Sequence, residues 1–195
     1  MTLDFGSLDS SHLAPSTAKS LRPHFVQMYD DERVLVEAVS TFASAGIDAG
    51  ETVILVATKA HRDLFEPALV ARGADLLKAR REGRYVSLDA DEMLARFMRG
   101  GRPDPESFRK VIGSVVEIGA ANGKDVRIFG EMVALLWTRG EVAAAIRLEE
   151  LWNELAGTYP FRLFCAYPAH GFGSDSLGPL ARICHEHSHV VPPHR

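Results

Sequence analysis

The feature that most constrains the fold is a repeated alternation of short apolar runs and longer amphipathic patterns. Apolar, β-branched runs occur at residues 24–28, 51–57, 85–88, 126–130 and 161–167. Between these runs, apolar residues recur at the three- and four-residue spacing that is typical of helices. Strands separated by helices imply right-handed crossovers and a mostly parallel sheet. The sequence therefore predicts an α/β fold with a mostly parallel central sheet and helices on both faces.

Charge and hydropathy exclude several classes of function. The chain of 195 residues has a net charge of −4 and no long Lys/Arg block, so direct nucleic-acid binding is not expected. An apolar run of about 18 residues or more is absent, so no membrane span is expected. The polar start of the chain does not resemble a secretory signal. The two cysteines fit buried free thiols better than a disulfide, which predicts a cytoplasmic protein.

Composition also predicts the domain organisation. Residues 1–22 are rich in Ser, Asp, Thr and Pro and are expected to form a flexible N-terminal arm. The alternation of strand and helix patterns then continues without a linker, so residues 23–190 are expected to form a single domain. Residues 191–195 remain as a short C-terminal tail.

The first predicted strand runs directly into an acidic turn, Tyr29-Asp30-Asp31-Glu32. In nucleotide-binding α/β proteins this place holds a glycine-rich phosphate loop. The turn contains neither Gly nor Lys, and its carboxylates would repel a phosphate. Asp30 or Asp31 also fits the N-cap of the helix that follows. The turn therefore predicts a degenerate phosphate site and no nucleotide cofactor.

The carboxyl ends of the strands supply the candidate ligand-binding residues. His24, Gln27 and Tyr29 alternate along the first strand and are expected to share one face, as the polar wall of a pocket; alternatively, they only shape the turn. Glu131 follows an apolar strand, and a buried carboxylate needs a partner, for which Arg127, His24 or a ligand are candidates.

Two aromatic residues complete the candidate pocket. Trp137 and Tyr167 could line a site for an apolar ligand, although aromatic residues are more often part of the core. The predicted ligand-binding set is therefore His24, Gln27, Tyr29, Asp30, Asp31, Glu131, Trp137 and Tyr167.

Neither a metal site nor a catalytic centre is predicted. Near the C-terminus, donor types suited to zinc or copper occur at Cys184, His185, His187 and His189. In a helix, alternate positions diverge by roughly 200°, so His185 and His187 do not face one ion. The sequence has no Gly-x-Ser-x-Gly or Cys-x-x-Cys motif, and Cys165 fits a buried free thiol. The protein is therefore expected not to be an enzyme.

An ordered set of short motifs spans about residues 23–190. The set comprises His24-x-x-Gln27-x-Tyr29, Gly50-Glu51, Gly130-Glu131-Met132, Glu149-Glu150-Leu151, Cys165-Ala166-Tyr167 and Ile183-Cys184-x-x-His187-Ser188-His189-Val190. Together these motifs resemble the MEDS domain, the methanogen/methylotroph sensory domain of bacterial and archaeal signalling proteins. The resemblance implies a RecA-like fold without its phosphate-binding loop.

The resemblance also implies a function and partners. It implies sensing of a small organic molecule, such as a hydrocarbon derivative, at the carboxyl rim of the sheet. Relatives are often fused to output domains, but this sequence shows no helix-turn-helix and no kinase module. Its signal would therefore pass to a partner protein, either a histidine kinase or a transcription regulator, and a homo-oligomer is left open.

Two alternatives to the sensor remain open. The chain could be a protein–protein adaptor without a ligand, working through exposed faces of the first and last helices. It could also be an enzyme, either a residual nucleotide hydrolase or a thiol-dependent one. A filled rim without a pocket would favour the adaptor, whereas the enzyme predicts nucleotide or metal affinity despite the acidic turn.

Overall fold

The computed structural model describes residues 23–121, 125–169 and 177–191. The flexible arm predicted for residues 1–22 lies outside the described residues, as does most of the predicted C-terminal tail.

The centre of the fold is a sheet of six parallel strands in the order β3-β2-β6-β7-β1-β8. A separate antiparallel pair joins β4 and β5. This confirms the predicted mostly parallel sheet. The strands are β1 (His24–Tyr29), β2 (Thr52–Ala57), β3 (Tyr85–Asp89), β4 (Met98–Arg99), β5 (Arg102–Pro103), β6 (Val126–Gly130), β7 (Phe161–Pro168) and β8 (His189–Val191).

Helices cover both faces of this sheet, as the sequence predicts. Three helices pack on one face, called here the α1–α3 face, and five on the other, called the α4–α8 face. None of these described helices combines the length and apolarity needed to cross a membrane. The helices are α1 (Glu32–Asp48), α2 (Lys59–Ala71), α3 (Leu76–Arg81), α4 (Ala90–Phe97), α5 (Pro105–Ala120), α6 (Met132–Thr138), α7 (Val142–Ala156) and α8 (Leu177–Glu186).

Strand β1 shows how the side chains divide between the two faces. Val26 and Met28 belong to the core under the α4–α8 face, whereas Phe25 belongs to the core under the α1–α3 face. Successive side chains of a strand point to opposite faces, so residues of even and odd number separate. Strand β2 is buried at all six positions, as a central strand covered on both faces requires.

Short elements at the edges of the fold differ from the predictions. The segment His189–Val191, which spans the predicted boundary between domain and tail, forms β8, the sixth strand of the sheet, next to β1. The short strands β4 and β5 and the helix α6 also have no counterpart among the predicted elements. These elements are too short, or too uniformly apolar, to show a period in the sequence.

A close contact between α1 and the sheet depends on a glycine. An ideal Cβ on Gly46 would lie 2.8 Å from Cδ of Arg127 and 2.8 Å from a Val53 methyl. Arg127 has little freedom to move, because it is buried and paired with Glu51. Gly46 therefore sets how closely α1 approaches β2 and β6.

We expect Gly46→Ala to reduce the free energy of unfolding by about 1–3 kcal/mol, because overpacking outweighs the better helix propensity of alanine. The matched control is Gly178→Ala in α8, where no described atom lies within 4 Å of the added Cβ. The control should unfold at the same or a higher urea concentration than the wild type. Equal stability of Gly46→Ala and the wild type would contradict the packing described for α1.

Candidate functional site

Adjacent strands β2 and β6 are followed by helices on opposite faces of the sheet. Helix α2 follows β2 and packs on the α1–α3 face, whereas α6 follows β6 and packs on the α4–α8 face. Such a divergence opens a crevice at the carboxyl ends of the strands, where ligands of open α/β sheets bind. Glu131 occupies this position, directly after β6.

Glu131 is buried, and its carboxylate has two partners: Thr58, which is the N-cap of α2, and His61 in the first turn of α2. It accepts a hydrogen bond from the backbone N–H of Thr58 at 2.8 Å and lies 2.5 Å from Nδ1 of His61. The two protein partners predicted for Glu131 were wrong, because Arg127 pairs with Glu51 and His24 lies in a different cluster. A ligand as the partner of Glu131 stays a prediction. The carboxylate therefore links the end of β6 to the first turn of α2.

The rim cluster, defined as Tyr29, Glu32, His61 and Glu131, extends from this pair towards solvent. Nε2 of His61 lies 3.3 Å from the carboxylate of Glu32, whose side chain is 59% exposed. Despite the cost of partial burial, the hydrogen bond to Glu131 raises the pKa of His61. Burial raises the pKa of Tyr29 to about 12, and the negative charges of Glu131 and Glu32 add to this increase. The rim cluster therefore favours positive charge and disfavours added negative charge.

The other acidic residues of the turn have a structural explanation. Asp31 is the N-cap of α1 and accepts a hydrogen bond from the backbone N–H of Arg33 at 2.8 Å. The Arg33 side chain also bonds to it, and these contacts lower the pKa of Asp31. Asp30 is exposed. The capping interpretation therefore accounts for Asp31.

The expectation that His24, Gln27 and Tyr29 share one face was wrong. Residues 24 and 27 are separated by an odd number of positions, so their side chains lie on opposite faces. His24 contacts Glu149 and Cys165 on the α4–α8 side, whereas Gln27 points to the α1–α3 side with Tyr29. The Gln27 side chain is buried, and neither of its amide atoms has a hydrogen-bond partner among the described residues.

A second polar cluster lies inside the α4–α8 face. Its centre is Glu149 of α7, which has no exposed surface. Tyr167 donates a hydrogen bond to Glu149 at 2.7 Å, while His24 Nε2 lies 3.4 Å and Cys165 Sγ 3.6 Å from the other carboxylate oxygen. Nε2 of His187, the residue after α8, lies 3.5 Å from Glu149. Three separate segments, β1, β7 and the residue after α8, thus bring polar side chains to one carboxylate of α7.

Burial controls the protonation of this buried cluster. Burial raises the pKa of the Cys165 thiol well above its usual range, and the charge of Glu149 adds to that effect. Burial lowers the pKa of His187 to about 4, so this imidazole is neutral near pH 7. Burial also acts to raise the pKa of Glu149, but the charges that His187 and His24 carry when protonated, with the hydrogen bonds from His24 and Tyr167, outweigh it, and the pKa is lowered. The partners of Glu149 therefore stabilise its ionised form.

The predicted ligand-binding residues thus separate into different places. Tyr29 and Glu131 meet at the rim, whereas His24 and Tyr167 meet in the buried cluster. Trp137 of α6 is 4% exposed and packs edge-on against the Tyr167 ring, with the ring centres 5.9 Å apart.

The sequence reasoning missed His61 and Glu149 as site residues. Glu149 gave one usable signal, because it occupies the apolar face of its helix pattern together with Ala145, Leu148 and Trp152. A carboxylate on a buried stripe needs partners. His61 gave no such signal, because its neighbours in sequence are polar.

An open groove lies beside the rim cluster, between α1 and α2. It has a volume of about 490 Å³ and begins at Glu32 and Arg33. Its walls include the apolar side chains of Val36, Leu64 and Ala68. Pockets that hold small ligands have volumes of about 300–1,000 Å³. The groove is therefore large enough for the apolar part of a small molecule.

Comparison with protein families gives a match over most of the chain. The family described as "MEDS: MEthanogen/methylotroph, DcmR Sensory domain" matches residues 23–186. A search of curated proteins found no match.

The raised pKa of His61 makes its contribution to stability depend on pH. Because the folded-state pKa lies above the unfolded value of about 6.5, the contribution is fully present below pH 6.5 and is lost as pH rises through the folded-state pKa. We expect His61→Asn, which keeps a donor for Glu131 but does not titrate, to be less stable than the wild type at low pH. The difference should shrink as pH rises.

Urea unfolding at a series of pH values measures this difference. The control is His185→Asn in α8, whose exposed side chain lies away from the rim. A stability difference between wild type and His61→Asn that does not change with pH would contradict the assigned His61–Glu131 pair.

Proposed function

We propose that this chain, which belongs to the MEDS family of sensory domains, binds a small organic molecule at the carboxyl rim of the sheet and signals to a partner protein. The observation that carries the proposal is the buried carboxylate of Glu131 at the β2/β6 crevice, hydrogen-bonded to His61. Perturbed titratable groups in a crevice are typical of functional sites.

The charges at the rim indicate the class of ligand. Glu32 and Glu131 flank His61, and Asp30 is exposed in the same turn. The nearby cations Arg33, Arg62 and Arg139 each pair with an aspartate. This environment favours a ligand that donates hydrogen bonds or carries positive charge, such as a small alcohol or amine, over a carboxylate or a phosphate.

Two neighbouring features support a partly apolar ligand. The groove between α1 and α2 provides apolar side chains, among charged ones such as Glu37 and Arg72, next to Glu32. The unpaired amide of Gln27 lies two positions before Tyr29 on the same face of β1, and buried polar groups normally have a hydrogen-bond partner. A polar head at the rim and an apolar body in the groove would use both features.

The same contacts suggest how a signal would leave the site. Glu131 holds the first turn of α2 through Thr58 and His61, and His61 reaches Glu32 in the first turn of α1. A ligand that prefers one arrangement of these groups would shift α1 and α2 relative to the sheet. A cytoplasmic histidine kinase or transcription regulator that docks on these helices would detect the shift.

A protein–protein adaptor is the second candidate. The observation that favours it is the same groove, in which Leu64 is 40% exposed. A partner helix could occupy such a groove without any small ligand. The adaptor predicts that no small molecule stabilises the isolated chain.

Thermal unfolding against matched pairs of compounds tests the proposal. The panel contains short alkyl amines and alcohols, carboxylates with the same carbon skeletons, and ATP with magnesium. At a hundredfold excess over Kd, a ligand adds about 2.7 kcal/mol, which corresponds to a Tm increase of roughly 5–10 °C for a chain of this size. We expect an increase with an amine or alcohol and none with the matched carboxylate.

Glu131→Gln should abolish the ligand-induced Tm increase, measured against its own ligand-free Tm. The control variant is Glu117→Gln, whose exposed side chain lies on α5 and should leave the increase unchanged. Stabilisation by ATP alone would support the nucleotide hydrolase instead, and no stabilisation by any compound would support the adaptor.

A further inference from the structure

The buried cluster inside the α4–α8 face contains four potential metal ligands. His24, Glu149, Cys165 and His187 each offer one ligand atom, and these atoms all lie within 4.8 Å of one another. They come from β1, α7, β7 and the residue that follows α8. All four residues are less than 9% exposed. The cluster lies on the opposite face of the sheet from α2 and His61, so it is separate from the rim cluster.

Four of the separations in this cluster are those of a tetrahedral site; they involve both oxygens of Glu149, and no ligand atom lies more than 4.8 Å from another. Ligands bound to zinc at about 2.0–2.3 Å lie roughly 3.3–3.8 Å from one another. Nε2 of His24 lies 3.5 Å from the Cys165 sulfur and 3.4 Å from the Glu149 carboxylate. The sulfur lies 3.6 Å, and Nε2 of His187 3.5 Å, from that carboxylate. Each of these separations falls within the tetrahedral range.

The outer hydrogen bonds orient both imidazoles for metal binding. Nδ1 of His187 lies 2.6 Å from the carbonyl oxygen of Ile183, and Nδ1 of His24 lies 3.0 Å from the amide oxygen of Asn153. Carbonyl oxygens only accept hydrogen bonds, so Nδ1 carries the proton in each neutral ring. Each Nε2 therefore carries a lone pair, and each lies within 3.5 Å of the Glu149 carboxylate. Metal-bound histidines use this arrangement, with the other ring nitrogen donating to a carbonyl or carboxylate.

One ligand atom lacks a partner in the absence of an ion. Nε2 of His187 is buried and makes no hydrogen bond to any described residue. This nitrogen faces the Glu149 carboxylate. The unprotonated ring nitrogen and the ionised carboxylate both accept hydrogen bonds, so two acceptors lie side by side. Glu149 contacts His24, Cys165, Tyr167 and His187, but no Lys or Arg among the described residues. A cation between these atoms would satisfy both groups.

We propose that His24, Glu149, Cys165 and His187 bind one divalent transition-metal ion, with Zn²⁺ the ion that their donors fit best. A thiolate and two imidazoles exclude Mg²⁺ and Ca²⁺, which prefer oxygen ligands, and a tetrahedral arrangement suits zinc. On binding, the Cys165 thiol releases its proton to solvent and the sulfur coordinates as a thiolate. Tyr167 keeps its hydrogen bond to Glu149 outside the ligand set.

The proposed site is structural. Four protein ligands leave no open position for a reacting molecule, and zinc sites of this closed type stabilise folds. The ion would join the first strand of the sheet to the segment between α8 and β8. This inference is independent of the proposed ligand at the rim, so either can fail while the other stands.

Element analysis of the untagged protein tests the site. The chain is produced in zinc-supplemented medium and dialysed against metal-free buffer before its zinc is measured. We expect about one zinc per chain in the wild type, and at least a tenfold loss in Cys165→Ser and in His187→Gln. The matched controls are Cys184→Ser and His189→Gln, whose side chains lie outside the cluster. Both should retain the zinc of the wild type.

A second measurement covers the case in which the ligand variants fail to fold. The wild-type chain is produced in minimal medium with cobalt in place of zinc. A tetrahedral Co²⁺ site with one thiolate shows intense visible bands and a sulfur-to-cobalt charge-transfer band in the near ultraviolet. A folded wild-type protein without zinc and without these bands would overturn the proposal. Equal zinc in Cys165→Ser and the wild type would also overturn it.

Discussion

The arrangement of the carboxyl-terminal half of this fold depends on the carboxylate of Glu149. It has no contact with solvent, and an isolated buried charge costs several kcal/mol. The fold meets this cost with side chains from β1, β7 and the end of α8, which all converge on α7. The parallel pairing of β1 with β7 places Cys165 opposite Val26, so Cys165 and His24 lie on the same face. Glu149 therefore ties together elements that are distant in the sequence.

The sheet separates two polar sites with different properties. At the rim, His61 links the buried Glu131 to Glu32, whose side chain is exposed to solvent. A site that binds molecules from solution needs such an opening. Inside the α4–α8 face, the cluster around Glu149 is closed, and its ligand atoms are spaced for an ion. Strand β1 contributes to both, because His24 points to the closed cluster and Tyr29 belongs to the rim.

The sequence predicted the sheet and its layers well, because apolar periodicity depends only on neighbouring residues. Each of the five predicted strands exists, and helices such as α7 (Val142–Ala156) occupy the intervals between them. Strand β8 was missed because three residues cannot show a period of two. The site was predicted only in part, because partners such as Glu131 and His61 are 70 residues apart and meet only through the sheet order. Assigning His24 and Gln27 to one face was an error of spacing that the alternation of β1 could have corrected.

Amide hydrogen exchange tests most directly whether Glu149 holds the carboxyl-terminal elements against the sheet. The comparison is between the wild type and Glu149→Gln, with Glu150→Gln as the matched control, since Glu150 pairs with Arg147 and Arg182 at the surface. We predict that Glu149→Gln reduces protection at least about tenfold in α8, β8 and β1 while β2 and β3 stay protected. Unchanged protection in α8 and β8, or an equal loss throughout the sheet, would contradict this account.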